Sequence, residues 1–287
     1  MARVAYVNGR FVPHAQATVH IEDRGYQLAD AVYEVWALFD GKLADAEGHF
    51  ARLERSLSEL RIAMPMSRRA LTLVLREAVR RNRVRDGLLY LQVSRGVARR
   101  DHAFPSDEVR PAVVITAKAL DRAAVEAKAA KGISVVTTPE NRWGRCDIKT
   151  VGLLPNVLAR QKAKEAGGGE AWFVDELGFV TEGSASNAWI VDADGRLRTR
   201  DTNANILRGV TRQTLLDVIA REGLEVDERP FTPAEAIAAR EAFVTGAGSL
   251  VLPVVAVDGH PIGNGAPGPL AMRLRRLYID EARAGAF

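Results

Sequence analysis

Tyr6-Val7-Asn8-Gly9-Arg10-Phe11-Val12 places Asn-Gly between two short runs of alternating apolar residues. A two-residue turn of this kind needs positive φ at both centres, which Asn and Gly reach at least cost, so the stretch reads as a hairpin. The same pattern returns at Asp40-Gly41, between Tyr33–Phe39 and Lys42–Ala44, and again at Asp258-Gly259. Strands joined by tight hairpins and mixed with helical periods imply an α+β chain rather than a doubly wound sheet.

Outward from the hairpins, Phe50, Leu53, Leu57 and Leu60 share one face of a helix over about Glu47–Arg61, which Pro65 is expected to stop. Ser67 then caps a second helix reaching about Arg83, and strands at Leu88–Arg95 and Ala112–Ala117 close this half. The alanine-rich, mixed-charge helix from Leu120 to Lys131 is the natural connector. The expected division is therefore a smaller domain over 1–119, a connector over 120–131 and a larger domain over 132–287. In the larger domain, strands are expected at Ile133–Thr138, Glu170–Val174, Phe179–Thr181, Ala188–Val191, Glu241–Thr245 and Val251–Val257. Helices are expected near Pro155–Ala166, from Gly209 to Glu222, after the cap Thr232, and from Pro269.

With 287 residues, 47% hydrophobic and 26% charged, the composition is that of an ordinary globular chain able to bury a core without staples. One cysteine, Cys146, excludes an internal disulfide framework and fits a reducing compartment. No apolar run is long enough for a membrane helix, and Met1–Tyr6 reads as the start of a strand rather than a leader, so a cytoplasmic location is expected. The net charge of +4 is scattered rather than gathered into a stripe, which argues against nucleic acid. It rests almost wholly on arginine, so each retained lysine stands out.

One of these lysines, Lys149, ends Arg145-Cys146-Asp147-Ile148 and leads into the apolar stretch Val151-Gly152-Leu153-Leu154. Burial disfavours the ammonium form and leaves an amine able to condense with an aldehyde. The plainer alternative pairs it with Asp147 at a strand end. Thr181-Glu182-Gly183-Ser184-Ala185-Ser186-Asn187 is a polar cluster between strands. Its carboxylate can hold the nitrogen of a pyridine ring, although Ser, Asn and Gly also favour turns for their own reasons. In Ile206-Leu207-Arg208-Gly209-Val210-Thr211-Arg212 a glycine turn opens a helix, whose first amides lack internal partners and suit a phosphate. Arg52, in His49-Phe50-Ala51-Arg52-Leu53, can fork onto phosphate oxygens, but read alone it is a plain exposed helix residue. Arg100 and His102, two apart in a basic loop after a strand, can clamp a carboxylate; read alone, the loop is simply solvated.

Together these segments resemble the fold-type IV pyridoxal-phosphate family of branched-chain aminotransferases, D-amino-acid aminotransferases and aminodeoxychorismate lyases. The resemblance runs almost end to end, through Glu22–Gln27, Val32–Val35, His49–Leu53, Cys146–Lys149, Glu182–Asn187, Ile206–Arg212 and Phe243–Pro253. It implies two domains with the cofactor, pyridoxal 5'-phosphate, in the cleft between them, and a homodimer whose interface shapes the site. It casts Lys149, assigned to the larger domain, as the Schiff-base lysine and Glu182 as the partner of the ring nitrogen. Arg52, the turn at Gly209 and the amides of Val210 and Thr211 resemble the phosphate cup, and Leu207 resembles the residue packed on the ring. No metal is implied.

Tyr33, Arg100 and His102 are similar to the substrate-carboxylate clamp of the D-specific branch, which implies exchange between a D-amino acid and a 2-oxo acid such as pyruvate or 2-oxoglutarate. One loop departs from that branch. Where Ser and Thr are usual, the chain has Thr245-Gly246-Ala247-Gly248-Ser249, so Ala247 and Gly248 offer the cofactor only backbone amides. The alternatives that stay open are a branched-chain L-amino-acid aminotransferase, an (R)-amine transaminase or aminodeoxychorismate lyase, and, from another class, a basic binding protein without catalysis.

Overall fold

In a computed structural model of the chain, residues 3–202 and 206–287 are described. The first two residues of the expected opening strand, Met1 and Ala2, lie outside them. The chain divides into two compact units, 1–121 with 148–152 and 285–287, and 122–147 with 153–284. The helix expected as a connector therefore belongs to the second unit, and Lys149 groups with the first, unlike the division expected from the sequence.

The first unit holds β1 (Val4–Val7), β2 (Arg10–Pro13), α1 (Arg24–Leu28), β3 (Ala31–Phe39), β4 (Lys42–Leu43), α2 (Ala46–Glu59), α3 (Arg68–Asn82), β5 (Gly87–Ser94) and β6 (Ala112–Ala119). Its six strands form an antiparallel sheet in the order β2-β1-β6-β5-β3-β4. Asn8 and Gly9, like Asp40 and Gly41, take the positive φ that the hairpins require. Val32, Trp36, Leu89, Leu91, Val93 and Ile115 alternate onto one core, where Phe50, Leu53 and Leu57 of α2 and Leu71 and Leu75 of α3 meet them. Removing a side chain the size of Phe50 from such a core costs about 3–5 kcal/mol. The helix α2 ends at Glu59, well before Pro65. Arg61 turns left-handed at φ 54 and its amide bonds the Ser58 carbonyl, so a backbone reversal and not the proline stops it. Ser67 caps α3 by accepting from the Ala70 amide.

The second unit runs α4 (Arg122–Lys131), β7 (Ile133–Pro139), α5 (Leu154–Glu165), β8 (Glu170–Val174), β9 (Val180–Gly183), β10 (Asn187–Val191), β11 (Leu197–Thr199), α6 (Val210–Arg221), β12 (Val226–Glu228), α7 (Pro233–Ile237), β13 (Glu241–Gly246), β14 (Leu250–Val257), β15 (His260–Pro261) and α8 (Pro269–Ala284). Its mixed sheet has the order β12-β11-β10-β13-β14-β7-β8-β9, with β15 beside β14. The strands β7 and β8 are parallel, so α5 makes the crossover between them. Every residue of β10 is buried, as expected of a strand inside the sheet. Ala129 of α4 is fully buried in the same core as Val135, Trp172 and Phe231. That packing makes α4 a part of this unit.

Candidate active site

Lys149 stands beside the start of β3. The Tyr33 amide donates to the Lys149 carbonyl at 3.0 Å, the Val151 amide donates to the Ala31 carbonyl at 3.1 Å, and Thr150 forms a bridge with Val32. Ile148 is buried in the core of the first unit. The backbone of Lys149 is thus fixed from both sides. The side chain is half-buried, with Nζ 4.2 Å from the centre of the Tyr33 ring and, among the described residues, in no hydrogen bond. Asp147 is taken by Arg145, whose Nε and Nη2 fork onto it at 2.9 and 3.0 Å.

Glu34 alternates with Tyr33 along β3 and is fully buried on the face covered by α2. Arg52 of α2 forks onto it, Nε to Oε1 at 2.7 Å and Nη2 to Oε2 at 2.8 Å, and the arginine side chain is only 10% exposed. Arg52 is therefore not the plain surface residue its helix position allows. His49, one turn earlier, brings Nδ1 to 2.7 Å from Glu34 Oε2. Burial pushes the Glu34 carboxyl up, but the charge and hydrogen bonds of Arg52 outweigh it and hold the pKa at about 2. Burial lowers the His49 pKa against the pull of Glu34, so the ring is neutral. Its Nδ1 must then carry the hydrogen given to Glu34, and the 3.4 Å approach of Arg52 Nη2 to the same nitrogen is not a hydrogen bond.

In the second unit, Glu182 on β9 is 6% exposed at its side chain. Arg142 Nη1 donates to Oε1, Asn187 Nδ2 donates to Oε2 at 3.1 Å, and the Leu207 amide lies 3.2 Å from both oxygens. Arg142 is not among the residues singled out by sequence. It follows β7 by three positions, forks onto Glu140 through Nε at 2.8 Å and Nη2 at 2.6 Å, and lies 4.5 Å over the Phe173 ring. Thr181 Oγ1 adds a bond to Glu140 at 2.7 Å. Burial works against the charge of Arg142, but the Glu140 hydrogen bond and the charges of Glu182 and Glu140 raise its pKa above the ordinary range. Burial likewise works against the Glu140 carboxylate, and the Arg142 bond outweighs it. Glu140, Arg142 and Glu182 together carry two negative charges and one positive.

Asn187 also donates to the Leu207 carbonyl at 3.0 Å. Gly209 then caps α6 at φ −64, an ordinary value, yet a Cβ there would lie 2.0 Å from Asn187 Oδ1. Close approach, not backbone freedom, demands this glycine. The amides of Val210 and Thr211 belong to the first turn of α6 and have no partner within the helix. Leu207 is half-buried beside them.

Ala247 and Gly248 lie in the short turn between Gly246 and Leu250, which pair in register. Ala247 is half-buried and Gly248 exposed. Before the turn, Trp189 Nε1 donates to Thr245 Oγ1 at 3.0 Å. Arg100 and His102 are both exposed. Among the described residues, neither makes a hydrogen bond or ion pair with Tyr33 or Lys149.

Residues 31–257 match the family described as Amino-transferase class IV. The chain is similar to a D-alanine aminotransferase of Bacillus licheniformis, 40% identical over 268 residues that cover 93% of each protein. A D-alanine aminotransferase of Staphylococcus haemolyticus is 37% identical over 280 residues, 96% of this chain and 98% of the relative. Among solved structures, the T.th. branched-chain amino acid aminotransferase with pyridoxamine 5'-phosphate matches with a TM-score of 0.88 at 28% identity, over 98% of this chain and 94% of that one. The Escherichia coli branched-chain amino acid aminotransferase matches with a TM-score of 0.89 at 24% identity, over 98% and 95%, a likeness of fold.

Proposed function

The chain belongs to the class IV aminotransferase family, and from that premise we propose that it moves an amino group between a D-amino acid and a 2-oxo acid such as pyruvate or 2-oxoglutarate, with pyridoxal 5'-phosphate as cofactor. The observation that carries the substrate assignment is the near full-length likeness to D-alanine aminotransferases. The residues present fit the cofactor. Among the described residues Lys149 offers an amine in no hydrogen bond, Glu182 is a buried carboxylate held by Arg142, Asn187 and the Leu207 amide, and α6 opens on a glycine whose first-turn amides have no partner within the helix.

When bound, the cofactor supplies an aldehyde carbon that accepts the amino group and a ring that withdraws electrons from it. Lys149 Nζ would hold it covalently, and the same amine would move a proton on and off the substrate Cα. Glu182, braced by Arg142, Asn187 and the Leu207 amide, would keep a proton at the ring nitrogen. Arg52, with the amides of Val210 and Thr211 after Gly209, binds phosphate, helped by the backbone at Ala247 and Gly248. The half-buried Leu207 side chain would pack on the ring. Tyr33, Arg100 and His102 bind the substrate carboxylate. As the family resemblance implies, the chain works as a homodimer whose interface shapes the site. The single free cysteine supports a cytoplasmic setting, and among the described residues no helix is long and apolar enough to cross a membrane.

Paired D and L amino acids tested with 2-oxoglutarate decide the reading. Turnover of D-alanine with none of L-leucine or L-valine is expected. Turnover confined to the L series would move the chain to the branched-chain activity.

A further inference from the structure

Arg24 opens α1 and is 3% exposed. Its Nε donates to Asp30 Oδ2 at 2.8 Å, and its Nη1 donates to the backbone carbonyl of Asp101 at 2.6 Å. Asp101 is the residue between Arg100 and His102, so a buried guanidinium grips the backbone at the tip of an exposed loop. The grip is itself braced. Arg95 forks onto the same Asp30 at 2.7 and 3.0 Å and donates to the carbonyls of Arg61 at 3.0 Å and Leu60 at 2.7 Å. Burial pushes the Asp30 carboxyl up, and the hydrogen bonds from Arg95 and Arg24 outweigh it and keep it ionised.

Both flanks of the loop are tied to the same region. The Arg24 amide donates to the Gly96 carbonyl at 2.9 Å, Asp23 bridges Val97, and the Ala98 amide donates to the Glu22 carbonyl at 3.3 Å. Gly96 has φ 114, and a Cβ on it would lie 2.1 Å from the Arg110 carbonyl, so this entry admits only glycine. On the far side, Phe104 lies under Arg95 at 3.7 Å and under Arg61 at 4.7 Å. At the tip, Asp101 Oδ1 accepts from the Ala103 amide at 3.1 Å. Residues 99, 100 and 102 stay exposed on a backbone held at three points. Two side chains two residues apart can act as one clamp only if the peptide between them keeps its orientation, and ordering that peptide in advance removes a cost from binding.

We propose that Arg24 is a positioning residue for the substrate carboxylate, holding Arg100 and His102 in register through the Asp101 carbonyl. The proposal rests on the assignment of Arg100 and His102 to the clamp. It makes preference for a carboxylate-bearing substrate depend on a side chain that never touches that substrate.

Steady-state kinetics of the holoenzyme with D-alanine test it, using R24Q, R100A, the double variant and F104A. R100A should raise KM roughly tenfold to a hundredfold by loss of a charge-assisted bond. R24Q should raise KM about 3–10-fold, the cost of ordering a freed loop, with kcat within about twofold. The double variant should lose less than the product of the two single losses, since only His102 is left to position, whereas fully multiplied losses would mark a merely structural role and overturn the proposal. Amide hydrogen exchange over 96–104 should quicken in R24Q. An unchanged KM or unchanged exchange in R24Q also overturns it. If R24Q does not fold, F104A loosens the other tie at a half-exposed ring, and a flat KM there has the same force. An unchanged KM in R100A sinks the clamp assignment itself, while a raised KM in R100A beside a flat R24Q sinks only the role of Arg24.

Discussion

Glu34 and Glu182 are both buried carboxylates joined to an arginine, and they differ in how many acids share that arginine. Glu34, Arg52 and a neutral His49 sum to zero charge, and the acid holds the arginine by two hydrogen bonds. Glu182 shares Arg142 with Glu140 and also takes bonds from Asn187 and the Leu207 amide. A single pair aims one side chain. A shared arginine ties several segments together. In the first unit the acid fixes Arg52, and in the second one arginine joins two acids.

Replacing Glu34 tests the single pair hardest. Glu34→Gln leaves the buried Arg52 without its counter-ion, a loss of about 3–5 kcal/mol in unfolding free energy by chemical denaturation. The pH sign follows from the depressed carboxyl. With a folded pKa of about 2 against an ordinary 4.5, Glu34 contributes stability that is complete above pH 4.5 and lost as pH falls toward 2. That contribution is on the order of 3 kcal/mol, and the variant should lack its share of the acid slope. A variant as stable as the parent at pH 7 would show that the pair does not hold the fold.

The shared group should behave the other way. Glu182→Gln removes the carboxylate proposed to hold the ring proton and leaves Glu140 with Arg142, so kcat should fall about tenfold to a hundredfold as ring stabilisation is lost. Stability should move by less than about 1 kcal/mol, because Arg142 keeps Glu140 as its counter-ion. A loss of stability as large as that of the Glu34 variant would erase the distinction. The smallest effect is expected at Asn187, which ties Glu182 to the start of α6. Asn187→Ala should cost about 1 kcal/mol and weaken cofactor binding a few-fold, read by equilibrium dialysis. Unaltered cofactor affinity would mean that the two segments are held independently.

The same contrast sets what could be read in the sequence. Hairpins at Asn8-Gly9, Asp40-Gly41 and Asp258-Gly259 were legible because φ is decided by the turn residues themselves. The cap Ser67 and the capping box of Thr232 and Glu235 were equally local. The end of α2 was not, since a left-handed Arg61 carries no compositional sign. The strands β11 and β12 have three residues each and no period to detect. Within the site, Lys149, Glu182 and the Gly209 turn stood out as contiguous motifs. Arg142 escaped because its partner Glu182 lies 40 residues away, and the demand for Gly209 escaped because it comes from Asn187 across a contact. An arginine two residues after a glutamate, beyond the end of an apolar strand, was the one signal available.

Lys149 as the residue that carries the cofactor is the claim on which the other roles depend. Reduction of the holoenzyme with borohydride, digestion and mass spectrometry would locate the covalent pyridoxyl group. The label should sit on the peptide containing Lys149 and nowhere else; its recovery on another lysine, or on none, would contradict that role.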